Sequence, residues 1–155
     1  MGKFQTGSDN QIVQSVPNAL GPLFGTPAYF QHTVYFFAAT DSLKAFSLSN
    51  GQLGNSPTSQ SVTHSGFPGA TPVISANGAA NAIVWALQTD QFGTSGPAVL
   101  HAYLASDVST ELYNSNQNPG RDNPGSAVKF TVPTVMNGKV YVGTQTQLSV
   151  FGLLP

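Results

Sequence analysis

The sequence predicts an all-β fold, on three observations. Short runs rich in β-branched and aromatic residues recur between Gly, Asn and Ser turns, while no window of about 11 residues carries helical periodicity. A motif of the form Leu-x-small-aromatic occurs three times, at Leu43-Lys44-Ala45-Phe46, Leu100-His101-Ala102-Tyr103 and Leu148-Ser149-Val150-Phe151. A proline-bearing run and then a strand-like run precede each copy in the same order. A period of about 50 residues, holding three or four short strands, is the pattern of β-propeller blades. The expectation is about three blades of four antiparallel strands per chain, forming a single propeller domain.

Each element has its own reason. Residues 1–21 are expected to supply an N-terminal strand, Gln11-Ile12-Val13-Gln14-Ser15-Val16, with no blade before it. Blade 1 (22–62) opens with Thr26-Pro27-Ala28-Tyr29. Proline donates nothing to a ladder and belongs at an edge, and the channel-lining first strand of a blade is an edge. Thr33-Val34-Tyr35-Phe36-Phe37 follows as the second strand, the Leu43 motif is the third, and Ser49-Asn50-Gly51-Gln52-Leu53 is a turn into the outer strand. Blade 2 (63–120) repeats the order with Thr71-Pro72-Val73-Ile74, Ala82-Ile83-Val84-Trp85-Ala86-Leu87, the Leu100 motif and Ser109-Thr110-Glu111-Leu112-Tyr113-Asn114. Turn-like insertions fall at Asn77 to Asn81 and Gln88 to Pro97. Blade 3 (121–155) has Val132-Pro133-Thr134-Val135, Lys139-Val140-Tyr141-Val142 and the Leu148 motif. Pro27 to Val34 and Pro133 to Val140 are both seven residues, and Val34 to Leu43 and Val140 to Leu148 are nine and eight.

After Phe151 only Gly152-Leu153-Leu154-Pro155 follow, so blade 3 is expected to lack an outer strand while Gln11–Val16 is a spare one. Three blades of twisted sheet do not readily close a ring, and an open arc leaves apolar faces bare. The expected partner is therefore a second copy of the chain. A dimer of six blades results, each chain's Gln11–Val16 completing the last blade of the other.

Composition limits the function classes. Charged residues are 7% of the chain, against about 25% in an ordinary soluble domain. Ser, Thr, Asn and Gln make up 52 residues, and Gly and Pro another 27. A net charge of −1 with scattered cations gives no field for binding nucleic acid. No apolar stretch approaches the ~18 residues of a membrane span. With no cysteine there is no disulfide framework, thiolate zinc site or thiol nucleophile. The N-terminus has no apolar signal-peptide core. Gly2 and Thr6 fit the short myristoylation pattern, but no polybasic patch adds the second signal that stable anchoring needs. The compartment is left open.

The strand pairs closing on an Ala-aromatic motif and the turn Ser49-Asn50-Gly51-Gln52-Leu53 resemble repeats of the pyrroloquinoline-quinone-like, or quinoprotein-type, β-propellers. Phe24-Gly25-Thr26-Pro27-Ala28-Tyr29-Phe30 and Gly138-Lys139-Val140-Tyr141-Val142-Gly143-Thr144 are especially similar, and the resemblance spans about residues 22 to 154. Where that family has Asp two residues after the Ala, this chain has Ser47, and Tyr113 stands where the middle repeat would end on Trp. The resemblance implies a ring of six to eight blades, of which this chain is a C-terminal three-blade part, and proteins that are often exported. It implies for catalytic members a quinone cofactor with calcium, an acidic catalytic residue and often a vicinal cysteine pair. This chain has no cysteine, and its single Trp85 lies inside a strand, so no catalytic position carries over and neither cofactor is expected.

Candidate sites are few. His32, His64 and His101 fall in a turn, an inter-blade loop and a third strand, without metal-ligand spacing, and His101 at the variable motif position is expected to face solvent. Asp9, Asp41, Asp90, Asp107, Glu111 and Asp122 sit by turns or strand ends, where carboxylates cap backbone N–H groups. Arg121-Asp122, in the Pro- and Asn-rich loop from Asn114 to Gly125, is the most site-like pair, a candidate for holding a polar ligand. The aromatics Tyr29, Tyr35, Phe36, Phe37, Trp85, Tyr103, Tyr141 and Phe151 are expected to pack between blades. Neither a nucleophile elbow nor a phosphate loop is present. A non-enzymatic propeller scaffold or binding module is the leading expectation. A propeller hydrolase or degenerate quinoprotein with a site at the assembled channel mouth, and a carbohydrate-binding propeller, are the alternatives.

Overall fold

The computed structural model describes residues 6–8 and 10–153. They form three antiparallel sheets in chain order. The first holds β1 (Ala28–Phe30), β2 (Thr33–Phe37), β3 (Asp41–Ser49), β4 (Gln52–Leu53) and β5 (Ser59–Ser65), with β4 and β5 both on β3. The second runs β6 (Val73–Asn77), β7 (Ala80–Gln88), β8 (Val99–Leu104) and β9 (Glu111–Asn114). The third has β10 (Thr134–Met136), β11 (Lys139–Gly143) and β12 (Leu148–Phe151) only. The first strands of successive sheets meet, β1 beside β6 and β6 beside β10. Helical structure is confined to short turns, of which Pro119–Asp122 is α-helical.

Local chemistry explains the hairpins. Gln31 and His32 both take positive φ (42° and 62°), as do Asn137 and Gly138 (52° and 70°), the geometry of two-residue turns that follow the strand twist. Pro27, Pro72 and Pro133 each directly precede a first strand, where a missing donor leaves no gap in the ladder.

The motif register fixes which side chains meet. Leu43 pairs with Phe37 and Ala45 with Tyr35, and these four point at the second sheet, where Val84, Ala86 and Tyr103 complete a core. On β8 the alternation repeats. His101 and Tyr103 turn back toward the first sheet, while Leu100 joins Leu87, Val140 and Val142 in a core against the third. In the motif, then, Leu and the small residue face the next sheet, and the variable and aromatic residues face the previous one. Burying each such Leu contributes about 1.5–3 kcal/mol. The Tyr35 hydroxyl, donating to the Ala105 carbonyl at 2.8 Å, ties the first two sheets together.

The third sheet departs from this pattern at its outer side. Leu43, Ala45, Leu100 and Ala102 are at most 1% exposed, whereas Leu148 and Val150 at the same motif positions are 70% and 53% exposed. The first sheet's opposite face is covered. Phe46 points away from the second sheet yet is buried, and it meets Phe36 edge-on. The chain before β1 runs along this face. The Gln14 amide exchanges two hydrogen bonds with the Leu53 backbone (2.8 and 2.7 Å), Lys44 Nζ donates to the Ala19 carbonyl (3.0 Å), and the Gly21 N–H donates to Asp41 (2.9 Å).

Gln11–Val16, expected to add to a second copy, is not a strand within its own chain, where Gln14 docks on Leu53. Other expectations are corrected. The main outer strand of the first sheet is β5 rather than the Gln52-Leu53 segment, and it runs to Ser65, past the expected division at 62 and 63. Its polar sequence gains strand form by pairing with β3, which holds Ser61 and Ser65 in the interior. Tyr29 is 57% exposed rather than packed between sheets.

Candidate functional site

A cleft of about 1000 Å³ lies between the second and third sheets. The strand alternation that buries Leu87 and Leu100 also turns Trp85 toward this side, and Val140 and Phe151 face it from the third sheet. Trp85 Nε1 donates to Ser75 Oγ at 2.8 Å, which fixes the indole in the wall. Tyr113 and the short helix Pro119–Asp122 close the outer rim, so the expected loop candidates Arg121 and Asp122 line the cleft.

Arg121 and Asp122 form a forked pair, Nε to Oδ1 at 2.5 Å and Nη2 to Oδ2 at 2.7 Å. The Arg121 hydrogen bonds hold the Asp122 carboxyl below the usual carboxylate range. Burial, and then the hydrogen bond and negative charge of Asp122, push the Tyr113 hydroxyl up to about 12. Tyr113 is thus a neutral donor near neutral pH. The rim offers a phenol, a guanidinium edge and the amides of Asn81, Asn123 and Gln147, beside an indole. Such a wall suits an uncharged polar ligand or an extended peptide better than an anion, because Asp122 already takes both sides of the Arg121 fork.

The histidines lie apart. His32 is in the β1–β2 turn, and His64 is on β5 with its Nε2 3.4 Å from Ser42 Oγ. His101 does not face solvent. It is 4% exposed, with Nδ1 2.6 Å from Glu111 Oε1 and Nε2 3.0 Å from Gln88 Oε1, and it stacks on Tyr103. Gln88 Nε2 in turn donates to Asp90 at 2.8 Å. The variable motif position faces the previous sheet, so the imidazole is enclosed between two sheets with each nitrogen beside a side-chain oxygen. Among the described residues no three His, Asp or Glu side chains converge as metal ligands.

The other carboxylates serve the backbone. Asp41 accepts from the Gly21 and Ser42 N–H groups and from Lys44, Asp90 accepts from the Gly66 N–H, and Asp107 accepts from Ser109. Asp9 lies outside the described residues. The Tyr103 hydroxyl is buried without a hydrogen-bond partner, and burial pushes it up to about 12.

An aromatic cluster went unread in the sequence. Phe24, Phe67 and Phe130 each stand ahead of the proline of a first strand. Phe67 meets Phe24, Phe92 and Phe130 edge-on at centroid distances of 4.9, 5.9 and 6.2 Å, and Lys129 Nζ lies 4.8 Å from the Phe92 centroid. The three repeat phenylalanines are 52%, 40% and 58% exposed. The recurrence of Phe before each proline was the available signal.

No protein-family model matches the chain, and no curated protein matches it. Among solved structures it is similar to the crystal structure of the computationally designed Ika8 protein, with a TM-score of 0.53 and 14% identity. The likeness covers 82% of this chain and 32% of that one, so the chain spans about a third of that protein's length. At this identity the likeness concerns the fold alone.

Proposed function

We propose that the chain is a non-enzymatic scaffold or binding module built from β-propeller blades of the quinoprotein-like kind, and that it self-associates into a six-bladed dimer. One observation carries the reading. Motif positions buried by a following sheet in the first two units are bare in the third, at Leu148 and Val150, and the described part of that sheet has no strand beyond β12. A further sheet and a further strand belong there. The meeting of β1, β6 and β10 supports radial stacking of the sheets. The test is mass by light scattering. The native chain has the mass of two chains, and Val150→Glu, at an exposed position of the single chain, has the mass of one with its circular dichroism unchanged. A native chain with single-chain mass at every concentration overturns the reading.

A second reading, binding of a neutral polyhydroxylated ligand such as a carbohydrate, draws on the indole, phenol and amides of the cleft. Titrating oligosaccharides against the emission of Trp85 tests it, since this is the single tryptophan. Saturable shifts lost in Tyr113→Ala support it; a flat response across neutral oligosaccharides removes it.

A further inference from the structure

In the two complete sheets the outer strand meets the third strand in the same way at the motif Leu. In the first, Ser59 pairs with Ala45 and Gln60 with Lys44; the ladder then shifts, and the Leu43 N–H is taken by Ser61 Oγ at 3.0 Å. In the second, Tyr113 pairs with Ala102 and Asn114 with His101, and the Leu100 N–H is taken by Ser115 Oγ at 3.1 Å. Both serines are buried, at 3% and 1% exposure. The outer strand thus brings an amide residue opposite the variable motif position, followed by a serine whose hydroxyl replaces a carbonyl for the motif Leu. Gln-Ser or Asn-Ser occurs at four places in the sequence: Gln14-Ser15, Asn55-Ser56, Gln60-Ser61 and Asn114-Ser115. Two are these outer strands, and Asn55-Ser56 lies in the loop between β4 and β5. Gln14-Ser15 is the one outside a complete sheet.

We infer that Ile12–Ser15 of a second copy add antiparallel to β12 in one register: Val13 opposite Val150, Gln14 opposite Ser149, and the Ser15 hydroxyl accepting the Leu148 N–H. This rests on the self-association proposed above and specifies its contact. Side chains directly opposite across a ladder share a face. Val13, 76% exposed in the single chain, therefore joins Val150, and Ser15 joins Leu148, on the bare face. Ile12, 53% exposed, and Gln14 turn into the cleft toward Phe151 and Trp85. Tyr113, the equivalent of Val13 in the second sheet, already points at its following sheet, as this register requires. Pro17, equivalent in this register to Gln117 in the turn after β9, has no N–H to give a ladder and falls beyond its end. Adding the strand gives up the Gln14–Leu53 contact in exchange for the β12 edge.

The absence of native cysteine makes the register directly readable. Val13→Cys and Val150→Cys chains, one carrying a mass tag, are mixed and oxidised. Directly opposite Cα atoms lie about 4.5–5.5 Å apart, within disulfide range, so a mixed covalent dimer is expected. Gln14→Cys with Val150→Cys, on opposite faces, is expected to give none. Ser15→Ala is expected to raise the dimer dissociation constant about fivefold or more. A dimer by light scattering that cross-links through the Gln14 pair, or through neither, overturns the register while leaving self-association intact. A single-chain mass overturns both.

Discussion

Replacing Ser61 or Ser115 with Ala removes one buried oxygen that accepts from the motif Leu and measures what holds each outer strand. Leu43 and Leu100 are fully buried, so water does not replace the lost acceptor of their N–H groups. A buried donor left without a partner costs about 1–3 kcal/mol. Ser61 also donates to the Thr63 carbonyl at 2.8 Å, a second bond that Ser115 lacks among the described residues. Ser61→Ala should therefore destabilise by about 2–3 kcal/mol and Ser115→Ala by about 1–2 kcal/mol. For a chain of this size each kcal/mol lowers Tm by roughly 2–4 °C. The serines sit on different sheets and share no partner, so the double variant should lose close to the sum. Urea unfolding and calorimetry of the three variants, run on a Val150→Glu background to keep assembly out of the measurement, give the numbers. Losses under about 0.5 kcal/mol at both sites, or Ser115→Ala costing more than Ser61→Ala, would refute the view that the hydroxyls stand in for ladder carbonyls.

Other perturbations have equally definite outcomes. Burial alone would raise the Asp41 carboxyl, but hydrogen bonds from Lys44, Gly21 and Ser42 outweigh it and hold the group below its usual value. A depressed folded pKa gives stability that is present above the unfolded value and lost as pH falls through the folded one. Urea midpoints should thus drop below about pH 4, and Asp41→Asn should flatten that part of the profile. His101→Leu leaves the Gln88 amide and the Glu111 carboxylate without the imidazole between them and should cost about 2–4 kcal/mol by thermal unfolding. Phe67→Ala removes the ring that three other phenylalanines meet edge-on; with that ring partly exposed, the cost should be about 1–2 kcal/mol.

The strand order was legible because its signals are local. β2 falls at Thr33–Phe37 as expected, and the three prolines mark the start of each first strand. The misreadings are places where pairing outranks composition. Ser59–Ser65 lacks an apolar alternation, so only its partner β3 makes it a strand. His101 was judged by the residue types at its motif position, Lys44 and Ser149, although the parity of the strand already turns that position toward the previous sheet. Gln11–Val16, whose expected edge belongs to another copy, is not a strand within its own chain. The cleft was beyond reach, since Trp85, Tyr113, Arg121 and Phe151 come from separate elements; only Arg121-Asp122 stood out, through a pairing that is adjacent in sequence.

The unlike ends of the stack decide how copies can meet. A head-to-tail contact closes a ring when its rotation allows and otherwise propagates as a filament. At one end Phe46 is shielded by the chain that Gln14 and Lys44 tie down; at the other, Leu148 and Val150 are open. On the self-association proposed above, closing a ring requires the open end of each chain to meet the covered end of the other, so the covering segment is part of the joint. On that proposal the segment over Phe46, held by the Lys44–Ala19 and Gly21–Asp41 hydrogen bonds, is what the partner's third sheet would meet. A chain trimmed through residue 20 would lose both this cover and the strand proposed to cross to the partner, and is expected to keep a single-chain mass by light scattering.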